Sequence, residues 1–469
     1  LHFALGNLFR RRGEYQRAVR VHEHLLGRGD LSRADRDRAQ HALAQDFLSA
    51  GLLDPASPAM LGDWNGLRPQ LAEQGYDFTL KYVGEVGSNL GGGYDSHTTA
   101  RWSDQLILGV NMDLQKLMGW QDATFRIGIG ERHGKDITND RVHQPNATGL
   151  TSTMEVFGGG NAWRLSQFWY EQKFFERKFA LKLGRFGHGE DFDQFPCEFQ
   201  NVTLCGSQEG NWNGVWNSFP ISQWAVRAKY QFTEELAVQV GAYDKNPGNA
   251  EASNGFKPFI SGSQGTSFPI EAIWKGQVAG LNAEYHAGYY YTNADTKDML
   301  KDADGNYAAS SQKPYRMYSS NDGWWLSGQQ QLTTVDGNSK RGLTVFANLT
   351  MNDPDKSVIK NLIQVGLIYR GPFDSRPDDT FGIGASKLQV SDRYTRNTQL
   401  LNTANGVSAI DDPLYVPEQR REYSYEINYG VQATKWLMVR PNLQYVQYPG
   451  GLTQTNGAVV GGVQFIADF

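Results

Sequence analysis

The chain has 469 residues, yet no stretch approaches the ~20 consecutive apolar residues that a transmembrane helix requires. A net charge of −5 argues against a nucleic-acid partner, which would need a basic face. The mean hydropathy of −0.53 is that of a soluble protein, but alternating polar and apolar residues give a transmembrane β-barrel the same low average. The 22 Tyr, 24 Phe and 12 Trp favour the barrel, because Tyr and Trp concentrate at membrane interfaces.

Residues 1–56 form a separate helical segment. The first 54 residues contain many Arg and no Lys, and Ala18, Val21 and Leu25 have helical spacing. An internal repeat supports helices that pack in pairs. Its positions are Gly6, Phe9, Gly13, Tyr15 and Ala18, matched at a constant offset by Ala44, Phe47, Gly51, Leu53 and Ala56.

The run His2-Phe-Ala-Leu-Gly-Asn-Leu-Phe-Arg-Arg-Arg-Gly-Glu-Tyr resembles a tetratricopeptide repeat of the lipopolysaccharide assembly protein B family. The second repeat is interrupted at Pro55, whereas such arrays usually need at least ~3 repeats. The segment is therefore interpreted as a fragment joined to a barrel. A helical scaffold that binds a partner stays open as an alternative.

From residue 78 onward the period is two, as in strands with one polar and one apolar face. Seven short connections each join two such strands, and they lie around 117–122, 176–178, 233–235, 275–280, 336–340, 371–379 and 434–435. A first strand near Phe78–Val86 and a last strand, Ala458–Phe469, bring the count to sixteen. The sequence thus predicts an all-β fold: a 16-stranded antiparallel transmembrane barrel over 78–469, entered through a linker at 57–77. A barrel of this size leaves a water-filled lumen.

Longer connections alternate with the short ones, which is the outer-membrane pattern. They span 87–103, 132–162, 187–222, 245–268, 292–322 and 391–420. The third of them is expected to fold into the lumen. It contains the only two cysteines, Cys197 and Cys205, whose proximity favours one disulfide formed in an oxidising compartment. Reduced thiols are the alternative, and no metal-ligand spacing accompanies the pair.

Residues from about 60 to 469 resemble the OprB-type carbohydrate-selective porins. The matching stretches include Met60-Leu-Gly-Asp-Trp-Asn-Gly, Gly184-Arg-Phe-Gly-His-Gly-Glu-Asp-Phe, Phe195-Pro-Cys-Glu-Phe-Gln-Asn, Cys205-Gly-Ser-Gln-Glu-Gly-Asn-Trp and Tyr448-Pro-Gly-Gly. The resemblance implies a passive outer-membrane channel for glucose and similar small sugars. The expected partners are monosaccharides and outer-membrane lipid; no cofactor or bound metal is expected, and both a monomer and a homotrimer stay open. The chain begins at Leu1, which leaves open whether a signal peptide was removed.

Strand parity selects candidate pore residues. Phe125, Ile127 and Ile129 share the lipid-facing parity, so Arg126 and Arg132 are expected to face the lumen. The resemblance implies that Arg132 and Glu155 are constriction residues. Many relatives have Arg where this chain has Gly159, and this difference implies a wider or differently charged constriction.

The third long loop offers further candidates. Asp191 belongs to an acidic run, and Trp212 and Trp216 follow the cysteine pair. The acidic run is expected to pair with a barrel-wall arginine such as Arg185, and Ca²⁺ binding is the less favoured alternative. Aromatic walls and charged groups would suit a sugar, which offers both C–H faces and hydroxyls.

An enzyme is not predicted. Some outer-membrane barrels are lipases or proteases, but the sequence has no Gly-x-Ser-x-Gly, and its only His-Glu-His, at residues 22–24, lacks His-Glu-x-x-His spacing. That cluster is expected to be solvated on the Arg-rich helix. A barrel enzyme and the helical scaffold remain the alternatives to a sugar channel.

Overall fold

The computed structural model describes residues 2–12, 14–49, 51, 53–147, 149–212, 216–410 and 412–469, without the side chains of 16, 47–49, 210 and 212. The helices are α1 (His2–Arg11), α2 (Tyr15–Leu26), α3 (Arg33–Ser49), α4 (Leu67–Gln74), α5 (Leu114–Met118), α6 (Glu209–Trp212), α7 (Ala308–Ser311) and α8 (Asp392–Asn405). In these ranges no helix has the length and apolar content that would carry it across a bilayer.

The strands are numbered in chain order. They are β1 (Tyr76–Gly93), β2 (Thr99–Asp113), β3 (Ala123–Gly134), β4 (Ala162–Phe174), β5 (Phe179–Phe186), β6 (Gln223–Gln231), β7 (Leu236–Asp244), β8 (Thr266–Val278), β9 (Leu281–Thr292), β10 (Thr296–Asp302), β11 (Tyr315–Tyr318), β12 (Asn321–Gln331), β13 (Gly342–Asn352), β14 (Ile359–Arg370), β15 (Thr380–Val390), β16 (Arg421–Gln432), β17 (Leu437–Gln447) and β18 (Asn456–Asp468).

Sixteen strands form a closed antiparallel barrel, which confirms the predicted fold class. Strands β1–β9 and β12–β18 pair in chain order, and β1 closes the barrel against β18 from Lys81↔Asp468 onward. Strands β10 and β11 form a separate two-stranded sheet inside a loop. Closure is required in a bilayer because an open sheet edge would leave backbone N–H and C=O groups unsatisfied in hydrocarbon.

Alternation of side chains gives each strand one lumen face and one lipid face. On β9, His286 and Tyr290 are buried towards the lumen, whereas Tyr285 and Tyr289 are exposed on the outside.

The seven predicted short connections all join barrel neighbours, from β2–β3 to β16–β17. The predicted long loop at 87–103 is wrong, because β1 runs to Gly93 and β2 begins at Thr99. Gly92 and Gly93 adopt positive φ at a bulge that keeps β1 paired with β18, so glycines that suggested a loop serve a strand.

Two loops fold into the barrel. Loop 3 (residues 187–222) was expected to do so, and its Phe192 and Trp216 pack with wall residues Tyr243, Tyr290 and Trp325. Its Phe199 and Leu204 form a second cluster with wall residues of β13 and β14. Fully burying one such side chain contributes about 1.5–3 kcal/mol relative to exposure.

Loop 2 (residues 135–161) also folds inward, which the sequence did not predict. Its Ile137, Val142 and Met154 are buried against Val446 of β17 and Val460 of β18. A further residue of the loop, Leu150, is buried between β14 and β15. The lumen is therefore bounded by two loops as well as by the strands.

Three wall carboxylates hold these loops through backbone N–H groups. Glu85 accepts from Val156 of loop 2 at 3.2 Å, and Glu271 accepts from Asp193 of loop 3 at 3.1 Å. Glu426 accepts from two consecutive N–H groups of loop 3, those of residues 200 and 201, at 3.0 and 2.7 Å. Each of these bonds satisfies a buried carboxyl oxygen and a loop N–H group at once, so together they fix the position of the loop backbone.

Helices α1–α3 pack around a buried ionic cluster. His22 is fully buried and its Nδ1 contacts the Asp46 carboxylate, which also forms an ion pair with Arg10, whose Nε lies 2.7 Å away. The expectation that this histidine would be solvated is wrong, whereas His24 is exposed. Pairing satisfies groups whose burial alone would be costly. Gly6 lies against the His22 ring and has no room for a Cβ, so the small residue allows the close helix contact.

The segment after α3 is anchored to the periplasmic end of the barrel. The Met60 N–H donates to the Asp468 carbonyl at 2.8 Å, and the Trp436 indole N–H donates to the Asp54 carbonyl at 2.9 Å. The Arg68 guanidinium donates to the Phe469 carbonyl at 2.8 Å and to the Phe78 carbonyl at 3.2 Å. These contacts lie beside the closure of β1 on β18.

Removing α1–α3 should leave the barrel intact. A chain that lacks residues 1–49 retains the anchoring carbonyl and N–H groups of Asp54 and Met60, so we expect unchanged heat-modifiable migration and unchanged sugar flux. In the same shortened chain, Arg68→Ala should lower the unfolding temperature. Failure of the 1–49 deletion to assemble would show that the helical segment is part of the barrel's folding unit.

A disulfide joins Cys197 and Cys205, with Cα atoms 4.2 Å apart, as expected from the sequence. Alkylation of denatured, unreduced protein should label no thiol, and prior reduction should release two. The barrel should survive reduction, because Glu426 and the Phe199 cluster also hold this part of loop 3. Two reactive thiols in the unreduced protein would contradict the disulfide.

Candidate functional site

The lumen is a series of connected cavities. An upper cavity of about 470 Å³ lies between loops 2 and 3, and a middle cavity of about 350 Å³ lies between loop 3 and the β9–β12 wall. Gly189, Gly206 and Ser207 line both, so they lie at the boundary between the two cavities, called here the eyelet. Two further cavities, of about 510 and 500 Å³, continue the path to the periplasmic mouth and share Lys340 and Arg370.

Arg132 lines the upper cavity near the extracellular end of β3. Its Nε donates to Gln105 Oε1 at 2.7 Å, and one terminal nitrogen lies 3.5 Å from the Gly158 carbonyl. The predicted lumen orientation follows from the alternation of β3. Gln105 and Gly158 fix the guanidinium, and its remaining N–H donors are available on the side of the cavity.

Glu155 of loop 2 lines the same cavity. Burial raises the pKa of its carboxyl above the usual value, and attraction to Arg132, Arg440 and Lys81 opposes that rise. A carboxylate oxygen lies within 4.8 Å of both sulfurs of the disulfide. Because those sulfurs are bonded to each other, they are not thiolate ligands, and the group does not make a metal site.

Arg126 also faces the lumen, but lower on β3. One terminal nitrogen donates to Asn111 Oδ1 at 2.8 Å and its Nε to Gln167 Oε1 at 2.5 Å. Gln167 in turn donates to Glu190 at 2.8 Å. The donors of Arg126 are thus engaged by neighbouring side chains. Arg126 does not line the upper cavity, unlike Arg132.

The acidic run of loop 3 pairs with a barrel-wall arginine, as predicted, but that arginine is Arg227 and not Arg185, and Lys182 joins it. Lys182 Nζ lies 2.6 Å from Glu190 and 3.0 Å from Asp191, and Arg227 lies 3.2 Å from Asp191. Arg185 instead donates to the carbonyls of Pro258 and Ser222 at 2.6 and 2.9 Å. The reason is parity, since Arg185 shares the outward register of Leu183 whereas Lys182 faces inward. Asp191 is therefore engaged in ion pairs, which fits neither sugar contact nor Ca²⁺ binding.

Trp216 is buried between loop 3 and the barrel wall rather than exposed at the lumen surface. It is 3% exposed, and its ring packs edge-on to Trp325 at 5.5 Å and to Tyr290 at 5.6 Å. Expected contact with sugar does not fit this placement. The sequence contained no sign of the difference, because the partners come from distant strands. The Trp212 side chain lies outside the described residues.

Several wall residues near the upper cavity were missed by the sequence analysis. Arg440 donates to Gln464 Oε1 at 2.7 Å, and Gln464 donates to Glu85 at 2.8 Å. Arg440 and Lys81, which line the cavity at the periplasmic mouth, attract the Glu155 carboxyl electrostatically, and Glu85 repels it. The lumen orientation of Lys81 and Glu85 could have been predicted from the sequence, since both alternate with lipid-facing Tyr82 on β1.

Comparisons with known proteins agree with this architecture. Residues 97–469 match the family model described as carbohydrate-selective porin, OprB family. The chain is 46% identical over 419 residues to Porin B of Pseudomonas aeruginosa, which is 89% of this chain and 92% of that protein. It superposes on the high-pH structure of Pseudomonas putida OprB with a TM-score of 0.88 and 47% identity, covering 89% of this chain and all of the other.

A short stretch has a different relative. Over 55 residues, 12% of this chain, it is 46% identical to Lipopolysaccharide assembly protein B of Escherichia coli K12, of which it covers 14%. So short a match says nothing of what those residues do. The family model and the porin relatives cover most of the chain, and the OprB barrel superposes on this one. The chain therefore belongs to the OprB family of carbohydrate-selective porins, and is a sugar channel of the bacterial outer membrane rather than an enzyme.

Proposed function

We propose that this channel passes glucose and similar monosaccharides, and that Arg132 and Glu155 form opposed hydrogen-bonding walls above the eyelet. The observation that carries the proposal is that two groups of opposite charge line one cavity of about 470 Å³. Each is held from behind, Arg132 by Gln105 and Glu155 through the docked backbone of Val156. Held groups lose little conformational freedom when a sugar arrives.

The chemistry of a hexose fits this pair. Its hydroxyls both donate and accept, so a guanidinium supplies donors on one side and a carboxylate supplies acceptors on the other. Phe157, Pro220 and Ile221 line the same cavity and offer apolar surface to the C–H face of the ring. Water competes for every contact in an open lumen, which keeps binding weak enough for release.

Gly159 supports a tolerant rather than a strict constriction. Its φ of 77° disfavours a side chain, and a Cβ there would lie 3.6 Å from Pro220, an ordinary contact distance. The surface beside Pro220 is thus left open where many relatives have arginine. We infer that pentoses and hexoses of similar size share the path.

Arg132→Ala should weaken sugar binding without closing the channel. Hydrogen bonds to charged groups are worth about 1.5–3 kcal/mol, and water will replace part of that loss. We expect the half-saturation concentration for glucose-induced current block in planar bilayers to rise about threefold to tenfold, since ~1.4 kcal/mol corresponds to tenfold. Sugar-free conductance should stay equal or rise. Glu155→Gln should act in the same direction.

Arg126→Ala is the matched control, because it removes the same side chain from the same strand outside the upper cavity. Its half-saturation concentration should stay within twofold of the wild-type value. If Arg132→Ala and Glu155→Gln leave glucose block unchanged while the barrel is correctly folded, sugar is not recognised in the upper cavity.

A further inference from the structure

The middle cavity lies immediately below the eyelet, on the periplasmic side of loop 3. Phe195 and Pro196 of loop 3 form one side, and Glu284, His286, Ser327 and Gln329 of β9 and β12 form the other. Strand β9 rises from the periplasmic turn after β8, so Glu284 is nearer the periplasm than His286. With a volume of about 350 Å³, the cavity falls within the ~300–1,000 Å³ typical of small-molecule sites.

Glu284 is the centre of its polar wall. Its carboxylate meets His286 Nε2 at 2.8 Å and Lys275 Nζ at 2.7 Å, and Gln329 Nε2 lies 3.4 Å away. The side chain is still 25% exposed. His286 and Lys275 both contact Oε1, so Oε2, which has only the long contact from Gln329 among the described residues, keeps acceptor capacity for a ligand.

A second layer fixes this wall. His286 Nδ1 lies 3.1 Å from Glu271, which is fully buried. Glu271 accepts from the Trp325 indole at 2.9 Å and from Gln239 at 2.7 Å, besides the Asp193 N–H. The same carboxylate therefore holds loop 3 and orients the imidazole that contacts Glu284, so the two sides of the cavity are positioned together.

Ser327 supplies an independent sign that the wall is prepared for a ligand. It is buried and lines the cavity, yet its hydroxyl has no hydrogen-bond partner among the described residues. A buried hydroxyl without a partner has a free-energy cost, because it has lost its hydrogen bonds to water and gained none in the protein. Opposite it, the Phe195 ring is held edge-on against Phe346 at 5.3 Å, which gives the cavity a flat apolar side.

We propose that the middle cavity is a second monosaccharide subsite, in series with the upper cavity. Glu284 and Gln329 bind hydroxyls of the sugar, Ser327 contributes a hydrogen bond that the protein does not use, and Phe195 covers a C–H face of the ring. The ligand class is a neutral polyol, since the Glu284 carboxylate is already paired with Lys275 and His286 lies between two carboxylates. The sugar chemistry rests on the proposed function, but the site itself rests on these separate residues.

Two subsites in series would give the channel stepwise transfer. A sugar that leaves Arg132 and Glu155 passes the eyelet. It then reaches Glu284 in the adjacent cavity and forms new hydrogen bonds there. Shallow consecutive sites permit selectivity without trapping, because no single site needs to bind tightly.

Ser327→Ala tests the proposal with little risk to folding, because it removes a hydroxyl that bonds to no described residue. We expect the half-saturation concentration for glucose block to rise about twofold to fivefold, as for the loss of one neutral hydrogen bond that water partly replaces, with unchanged thermal stability. Glu284→Gln should raise it about threefold to tenfold, as expected for a charged acceptor. Both effects should be larger for glucose added on the periplasmic side.

Ser267→Ala and Glu234→Gln are the matched controls. Ser267 is likewise buried on a strand without a described partner for its hydroxyl, and Glu234 lies exposed in a turn; neither lines the cavity. Both variants should keep wild-type glucose block. If glucose block is unchanged in Ser327→Ala and Glu284→Gln but weaker in Arg132→Ala, the second subsite alone is overturned. If glucose block is weaker in Ser327→Ala and Glu284→Gln but unchanged in Arg132→Ala, the upper site is refuted instead.

Discussion

The lumen depends on a small set of wall carboxylates that accept hydrogen bonds from loop backbone. A barrel of sixteen strands encloses a wide water-filled space, and a loop inside it would meet water on every side. Glu85, Glu271 and Glu426 prevent this by binding N–H groups of Val156, Asp193 and residues 200 and 201. Apolar clusters such as Phe192 with Tyr243 then exclude water beside those bonds, which strengthens them.

This arrangement explains how a wide barrel has a narrow path. Loops 2 and 3 act as an inner wall, and the three small residues of the eyelet lie where loop 3 separates the upper from the middle cavity. The charged residues left facing the path are those that the docking contacts do not use. Arg132, Glu155 and Glu284 line the cavities, whereas ion pairs hold Asp191 and loop carbonyls hold Arg185.

Local periodicity in the sequence predicted the strands and their faces, but it did not predict contacts between distant parts of the chain. Two-residue alternation identified the hairpins and the lumen orientation of Arg132, because both depend only on neighbouring residues. The partner of Asp191 was wrong because nothing in loop 3 specifies which strand it meets, although the outward parity of Arg185 could have excluded that residue. The burial of Trp216 and the inward fold of loop 2 depend on strands far along the chain, such as β17 and β18 for Met154. Periodicity does not encode such contacts.

In the N-terminal helices too, the sequence predicted local structure but not long-range contacts. Their amphipathic spacing was visible in the sequence, but the pairing of His22 with Asp46 depends on α2 meeting α3 and was missed. Their internal ionic cluster gives them a core of their own, separate from the barrel wall. The anchoring contacts of Asp54, Met60 and Arg68 belong to the connecting segment instead.

Sugar recognition inside the lumen, by side chains that the docked loops hold in place, is open to a structural test. The measurement is a crystal structure of the protein soaked in concentrated glucose. We expect a sugar ring in the upper cavity, with hydroxyls within hydrogen-bond distance of both the Arg132 guanidinium and the Glu155 carboxylate. Ordered glucose found only outside the lumen, or in the lumen without contact to either residue, would contradict recognition by this pair.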